Sequence, residues 1–355
     1  MKVGIVGFPR SGKTTIFNVL AGQHADVGGF TEPGKVHLGT IKVPDARIDR
    51  LSEIFHPRKT TYAEMVFADF PAPSSHADES GGQGSALDTS TLTQMRESDA
   101  LVQVVRAFTD ELTGEPPEPA RDLVNFKNEL ILADLVLIET RLERLKKEKG
   151  RERERAALER CKAALDEERA LRQLEWAPDE AALLAGFGFL SRRPLMVVLN
   201  VNEDQLHAPM PDAVRELLTA DAVDGLILSG KIEMEIATLD AADRQAFLDD
   251  LGLKEPARER FIRCAYGLLD QISFLTSGED EVRAWTIKRG TPAVKAAGKI
   301  HSDIERGFIR AEVVHYDDFV RYGSDAACRE AGKLRLEGKE YAVRDGDIIH
   351  FRFNV

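Results

Sequence analysis

The chain has 355 residues, enough for two or three domains each with its own core. Its 43% apolar and 30% charged residues fit a soluble globular protein, and no apolar run approaches the ~20 residues that cross a bilayer, so the cytoplasm is the expected compartment. A formal net charge of −12 excludes a chain that coats nucleic acid by bulk charge, and the eight scattered histidines form neither HxxxH nor HExxH. Cys161, Cys264 and Cys328 lie far apart with no CxxC spacing, and are expected to be reduced packing residues.

Lys2-Val3-Gly4-Ile5-Val6 is a short apolar run, and Thr14 to Leu20 has helical character, which predicts strand, loop, helix. Between them Gly7-Phe8-Pro9-Arg10-Ser11-Gly12-Lys13-Thr14 satisfies G-x-x-x-x-G-K-[ST] in the context that motif requires. Glycines let backbone N–H groups close around phosphate oxygens, and the helix N-terminus adds its dipole. Lys13 neutralises the β/γ oxygens and the Thr14 hydroxyl ligates Mg²⁺. Gly7 to Thr14, with Thr15 after them, are therefore expected to hold a purine nucleoside triphosphate, ATP or GTP.

Next in the chain, Thr31 in Val27-Gly28-Gly29-Phe30-Thr31 stands where a switch segment brings a second hydroxyl to the metal; the alternative is a loop threonine without a partner. Met65 to Ala68 predicts a strand, and Asp69 at its carboxyl end is expected to hold Mg²⁺ or its water, although an Asp after a strand also serves as a cap. Further runs at Leu101 to Val105, Leu195 to Leu199 and Leu226 to Leu228 leave room for crossover helices. They predict an α/β fold: a mostly parallel sheet with helices on both faces, of the P-loop NTPase kind.

Ile131, Leu135, Ile138, Leu142 and Leu145 recur at spacings of four and three, and Leu158, Cys161 and Leu165 resume the pattern after Gly150. We expect an antiparallel helical hairpin here, the alternative being two ordinary covering helices. The Arg and Glu residues from Lys146 to Arg155 read as its solvated tip.

Asn200-Val201-Asn202-Glu203 follows the fourth strand, where guanine-reading proteins carry N-K-x-D; the Val201-Asn202 pair replaces Lys-x and Glu203 the Asp, which argues against strict guanine selection, and Asn200, Asn202 and Glu203 are the expected base-side residues. Ser229-Gly230-Lys231, after the fifth strand, is the expected second base loop. Beyond Leu269 the texture becomes short strands at Arg283 to Ile287, Phe308 to Val313 and Ile348 to Phe353. A hairpin is expected to turn at Gly338-Lys339 between Leu334 to Leu336 and Tyr341 to Val343, with a helix starting near Thr291-Pro292. The expected domains are a nucleotide domain of 1–124 and 191–271, an inserted hairpin of 125–190 and an α+β tail of 272–355.

The phosphate loop, Val43-Pro44-Asp45-Ala46-Arg47-Ile48-Asp49-Arg50-Leu51, Asn200 to Glu203 and Ser229-Gly230-Lys231 resemble the YchF family of Obg-related ATPases, in the translation-factor class of P-loop NTPases. Most specific are Glu281 to Ile287, Ile300 to Glu312 and the ending His350-Phe351-Arg352-Phe353-Asn354-Val355. The resemblance implies a β-grasp (TGS) tail, an inserted hairpin, ATP accepted beside or before GTP, slow hydrolysis, and association with ribosomes or other translation components. Three positions depart from the pattern. Asp69-Phe70-Pro71-Ala72 lacks the last glycine of D-x-x-G, Arg10 replaces an Asn that helps coordinate a monovalent cation, and Gln103 replaces a His thought to assist hydrolysis. Lys13, Arg10 and Gln103 are the expected catalytic residues on this reading. Arg10 would supply covalently the charge a cation supplies elsewhere, and Gln103 would orient a water.

Two functions of different class follow: a nucleotide switch with weak ATPase activity that acts on a ribosomal or RNA partner through its tail and helical arm, or a scaffold that binds ATP without turnover. Arg283, Lys288, Arg289, Lys295, Lys299, Arg306 and Arg310 form a basic stretch, either an RNA-facing patch or charges that point several ways.

Overall fold

The computed structural model describes residues 1–22, 36–71, 89–110 and 112–354. The chain begins β1 (Lys2–Val6), α1 (Lys13–Ala21), β2 (His37–Lys42), α2 (Ala46–Phe55), β3 (Lys59–Thr61), β4 (Glu64–Asp69), α3 (Thr89–Met95) and β5 (Ala100–Arg106). It continues through α4 (Pro119–Leu145), α5 (Glu152–Asp166), α6 (Pro178–Leu184), β6 (Leu195–Asn200), α7 (Asp212–Ala220), β7 (Asp224–Leu228), α8 (Gly230–Thr238), α9 (Ala241–Asp250) and α10 (Ala257–Leu268). It ends with β8 (Gln271–Thr276), β9 (Glu281–Lys288), α11 (Ala293–Ile300), α12 (Ser302–Arg306), β10 (Phe308–His315), α13 (Tyr316–Tyr322), α14 (Asp325–Glu330), β11 (Arg335–Glu337) and β12 (Asp347–Phe353).

By its contacts the chain forms two compact units, Met1–Thr40 with Val66–Phe261, and Ile41–Met65 with Ile262–Val355. The first holds a six-stranded sheet in the order β2-β4-β1-β5-β6-β7. Its pairs β1/β4, β1/β5, β5/β6 and β6/β7 are parallel. All six residues of β6 are buried, as a strand covered on both faces requires. One face packs Val6, Leu101, Val105 and Leu199 against Phe126 and Leu130 of α4 and Val214 of α7. Among the described residues no helix is long and apolar enough to cross a membrane.

The helical seam forms the expected hairpin. Glu139 meets Lys162 at 3.0 Å and Arg141 meets Glu154 at 2.7 Å, so α4 and α5 run antiparallel. Ile131, Ile138 and Leu145 bury against Leu158, Cys161 and Leu165, each such aliphatic side chain contributing about 1.5–3 kcal/mol on burial. Gly150, at φ +78°, makes the turn between the helices in a conformation costly for any other residue.

The second unit is built on a mixed sheet, β11-β10-β12-β8-β9-β3. β8 pairs parallel with β12 and antiparallel with β9, while β10 lies antiparallel to both β12 and β11. Ala293, Ala296 and Ala297 bring α11 close onto this sheet, beside Phe274, Phe308 and Phe351. The helix starts where expected, with Pro292 at its N-cap position.

Three sequence expectations are corrected here. The hairpin turning at Gly338-Lys339 does not form: β11 pairs with β10, and the residues after the turn instead receive Ala293 N–H at the Tyr341 carbonyl and give Val343 N–H to Thr291. Residues 41–65, expected in the nucleotide domain, group with the C-terminal unit because β3 pairs parallel with β9. Cys161 and Cys328 are buried as expected, but Cys264 is exposed.

Candidate functional site

The parallel ladder places the ends of β1, β4, β5 and β6 side by side, and the phosphate loop leaves the sheet after Val6. Gly12 is left-handed at φ +83°, and a Cβ there would collide with the Asn200 side-chain amide. At Gly7 a Cβ would stand 2.5 Å from the Val104 carbonyl oxygen. Both glycines are therefore demanded by close approach of neighbouring chain. Phe8 packs edge-on against Phe126 of α4, 6.3 Å between centroids, and anchors the loop to the hairpin's first helix.

Pairing of Ile5 with Asp69 brings the carboxylate beside the loop. Lys13 Nζ donates to Asp69 Oδ1 at 2.9 Å, and Thr14 Oγ1 donates to Oδ2 at 2.9 Å. Asp69 is 3% exposed, so one buried carboxylate holds both groups that the phosphate chemistry calls for. Thr15 follows on α1, half-buried, with its methyl facing Gly230.

Asn200 plays another part than direct base reading. Its Nδ2 donates to the Ser11 carbonyl at 2.9 Å and its Oδ1 accepts Gly230 N–H at 2.9 Å. The side chain is thus a buried strut between the phosphate loop and Ser229-Gly230-Lys231. Ser229 is buried and its hydroxyl has no hydrogen-bond partner among the described residues, whereas Lys231, Asn202 and Glu203 are exposed.

Arg10 sits at φ +63°, and its Nη1 donates to Asp110 Oδ2 at 3.1 Å. Asp110 also accepts Leu112 N–H at 2.9 Å, and that backbone bond, with Arg10 adding to it, holds its carboxyl below the usual aspartate range. The guanidinium is committed to this carboxylate, which weakens its assignment as a catalytic charge. Gln103 is a plain correction. It is 2% exposed in the middle of β5, on the face covered by α4, and its Nε2 donates to the Asp122 carbonyl at 3.3 Å. Side chains alternate along a strand, and this one points under the sheet, away from the loop.

After Asp69, Phe70 turns inward beneath Gly4 and its N–H bonds the Ile5 carbonyl at 3.2 Å. Ala72 and Thr31 lie outside the described residues. The basic stretch is largely neutralised by acids: Arg289 pairs with Asp270, Lys295 with Glu305, Arg306 with Asp303, Arg310 with Glu312 and Arg283 with Glu281. Sequence reading missed Asp110, whose only local signal is the turn it nucleates before Gly114.

Residues 271–354 match the family model of the YchF GTPase C-terminal domain, described as "Protein of unknown function (DUF933)". The chain is 38% identical to the ribosome-binding ATPase YchF of Bacillus subtilis (strain 168) and 39% to that of Escherichia coli O157:H7, over all of this chain and 100% and 99% of theirs. The solved structure of the Schizosaccharomyces pombe YchF GTPase superposes with a TM-score of 0.85 at 29% identity, covering 99% of this chain and 97% of that one.

Proposed function

The chain belongs to the YchF family, and from that membership and the loop geometry we propose that it is an ATP-binding, ribosome-associated switch with slow hydrolysis. The observation that carries the reading is the Lys13–Asp69–Thr14 constellation at a strand end and a helix start. Loop N–H groups and the α1 N-terminus would receive the phosphates, and Lys13 would move its charge from Asp69 to the β/γ oxygens. The Thr14 hydroxyl and Asp69 carboxylate are a hard oxygen pair suited to Mg²⁺ or its waters, and the ion, when bound, would neutralise phosphate charge. Val201 and Glu203 in place of the Lys and Asp of N-K-x-D favour ATP over strict guanine selection.

Mutual neutralisation of Lys13 and Asp69 supports a two-state site. Triphosphate competes for Lys13 and frees Asp69, so the loop and strand end gain a reason to shift with occupancy. Phe8 against Phe126 supplies a packed contact from that loop to the helical arm. The ribosome partner is inferred from the printed names of the relatives, and the tail and arm are the proposed contact elements.

A second reading, binding without turnover, is favoured by one observation: Gln103 faces α4 and Arg10 is held by Asp110, so neither expected helper stands free at the loop. Single-turnover ATP hydrolysis, together with co-sedimentation with ribosomes in ATP and in a non-hydrolysable analogue, decides between them. Turnover with nucleotide-dependent sedimentation supports the switch; tight binding without phosphate release supports the scaffold.

A further inference from the structure

Beneath α4, on the covered face of the first unit's sheet, lies a cavity of about 170 Å³. By the roughly 30 Å³ share of one water it has room for about six waters, or a small organic molecule. No residue of the phosphate loop lines it. Its walls are mostly aliphatic, with Leu195 and Val197 from β6, Leu217 from α7 and Leu123 from α4.

One end is charged. Arg172 follows α5 and lines the cavity with its side chain only 9% exposed. Its Nη1 reaches the Ser191 carbonyl at 3.4 Å, yet its Nε and Nη2 are buried without a hydrogen-bond acceptor among the described residues. Asp221 Oδ2 stands 3.9 Å from Nη2, beyond bonding distance, while Asp221 Oδ1 is already taken by Lys127 at 2.7 Å and by Gln173. Burial without a bonded acceptor disfavours the charged guanidinium, the direction in which its pKa is displaced. An unmet buried donor costs about 1–3 kcal/mol, and more when charged, so this edge of Arg172 calls for an acceptor.

We propose that this cavity is a binding site for a small monocarboxylate with an apolar body, its two oxygens on Nε–H and Nη2–H of Arg172. The two donors on one guanidinium edge match the spacing of a carboxylate. Lys127 and Asp221 neutralise each other, and Glu168 at the rim balances Arg172 in formal charge, so the lining has no surplus positive charge to hold a phosphate dianion and the two free donors of Arg172 match a single carboxylate. The aliphatic walls take the chain. Because Leu123 and Lys127 lie on the helix whose Phe126 touches Phe8, a ligand here sits against the element that anchors the phosphate loop.

The test uses the full chain and two probes of one shape, hexanoate and neutral hexanamide, followed by saturation-transfer NMR and calorimetry. Hexanoate is expected to bind at least tenfold tighter than hexanamide. Arg172→Met should erase that preference. Val124→Trp, placed on α4 at a partly exposed lining position, should block both probes while leaving Arg172 and the core untouched, and it serves if Arg172→Met does not fold. Equal binding of the two probes, binding of neither, or hexanoate binding unaltered by Val124→Trp would overturn the proposal. So would Arg172-dependent binding of inorganic phosphate in preference to hexanoate.

Discussion

Lys13 and Asp69, 56 residues apart in sequence, form a 2.9 Å ion pair with side chains only 10% and 3% exposed. Removing one partner of such a pair leaves the other buried and uncompensated, at a cost of about 3–5 kcal/mol. Lys13→Ala should therefore lower both stability and ATP affinity, and the two effects have to be separated. The double variant Lys13→Met with Asp69→Asn should recover most of the stability but not the affinity, which stays at least tenfold below wild type, about 1.4 kcal/mol. Calorimetric titration of ATP beside thermal melts checks this; undiminished ATP affinity in the double variant would remove Lys13 from the site.

Asn202 and Glu203 are exposed. Val201→Lys with Glu203→Asp should raise GTP affinity relative to ATP by about tenfold, since a shorter carboxylate and an ammonium at those two positions restore the guanine-reading set. Competitive titration of the two nucleotides measures the shift. A wild type already tenfold tighter for GTP would contradict the ATP preference.

Asp110 has its carboxyl displaced downward, first by the Leu112 N–H and then by Arg10. A lowered folded value means the ion's contribution is fully present above the ordinary aspartate value of 3.8 and is lost as pH falls through the lower folded one. Urea midpoints measured across that acidic window should fall less steeply in Asp110→Asn than in wild type. The same variant releases Arg10. If Arg10 substitutes for a monovalent cation, ATPase rates in Na⁺ and K⁺ at matched ionic strength should be equal in wild type, with K⁺ stimulation appearing only in Arg10→Asn.

Arg47 Nη1 donates to Asp345 Oδ2 at 2.8 Å and its Nη2 to Asp45 Oδ2 at 2.8 Å, which ties the start of α2 to the last turn of the second unit. Asp345 Oδ1 also accepts Ser273 N–H at 2.8 Å. The pair is partly exposed, so Arg47→Met should destabilise this unit by about 1 kcal/mol, while Asp345→Ala, which also strands the Ser273 N–H, should cost more. Of the two tryptophans Trp285 lies in this unit and Trp176 does not, so fluorescence in a Trp176→Phe background reports it alone. Equal losses for both substitutions would show that the Ser273 bond contributes nothing.

Local pattern was enough for much of the fold. The apolar runs at Lys2 to Val6, Leu101 to Val105 and Leu195 to Leu199 marked buried parallel strands, because a strand covered on both faces is mostly apolar and a polar residue in it, such as Gln103, needs a hydrogen-bond partner. The spacing from Ile131 to Leu165 marked the hairpin, since only a helical period lines those residues on one face. The phosphate loop was legible for the same reason: its function rests on backbone conformation and a helix start that adjacent residues specify by themselves.

Contacts between distant segments were decided by the tertiary structure alone. Nothing near Arg10 announces Asp110, one hundred residues away, and nothing near Asn200 announces the Ser11 carbonyl it holds. Gln103 looked like a water-orienting residue until the register of β5 put its side chain under α4, and β3 joined the C-terminal sheet through a pairing 222 residues distant in sequence, Lys59 with Glu281. Hydrogen bonding and ion pairing depend on which groups the completed sheet brings within about 3 Å, and a period-two strand reverses the side a residue faces with every step. The sequence by itself therefore determined the elements and the phosphate-loop motif; which side chains stand free beside that loop was determined by packing.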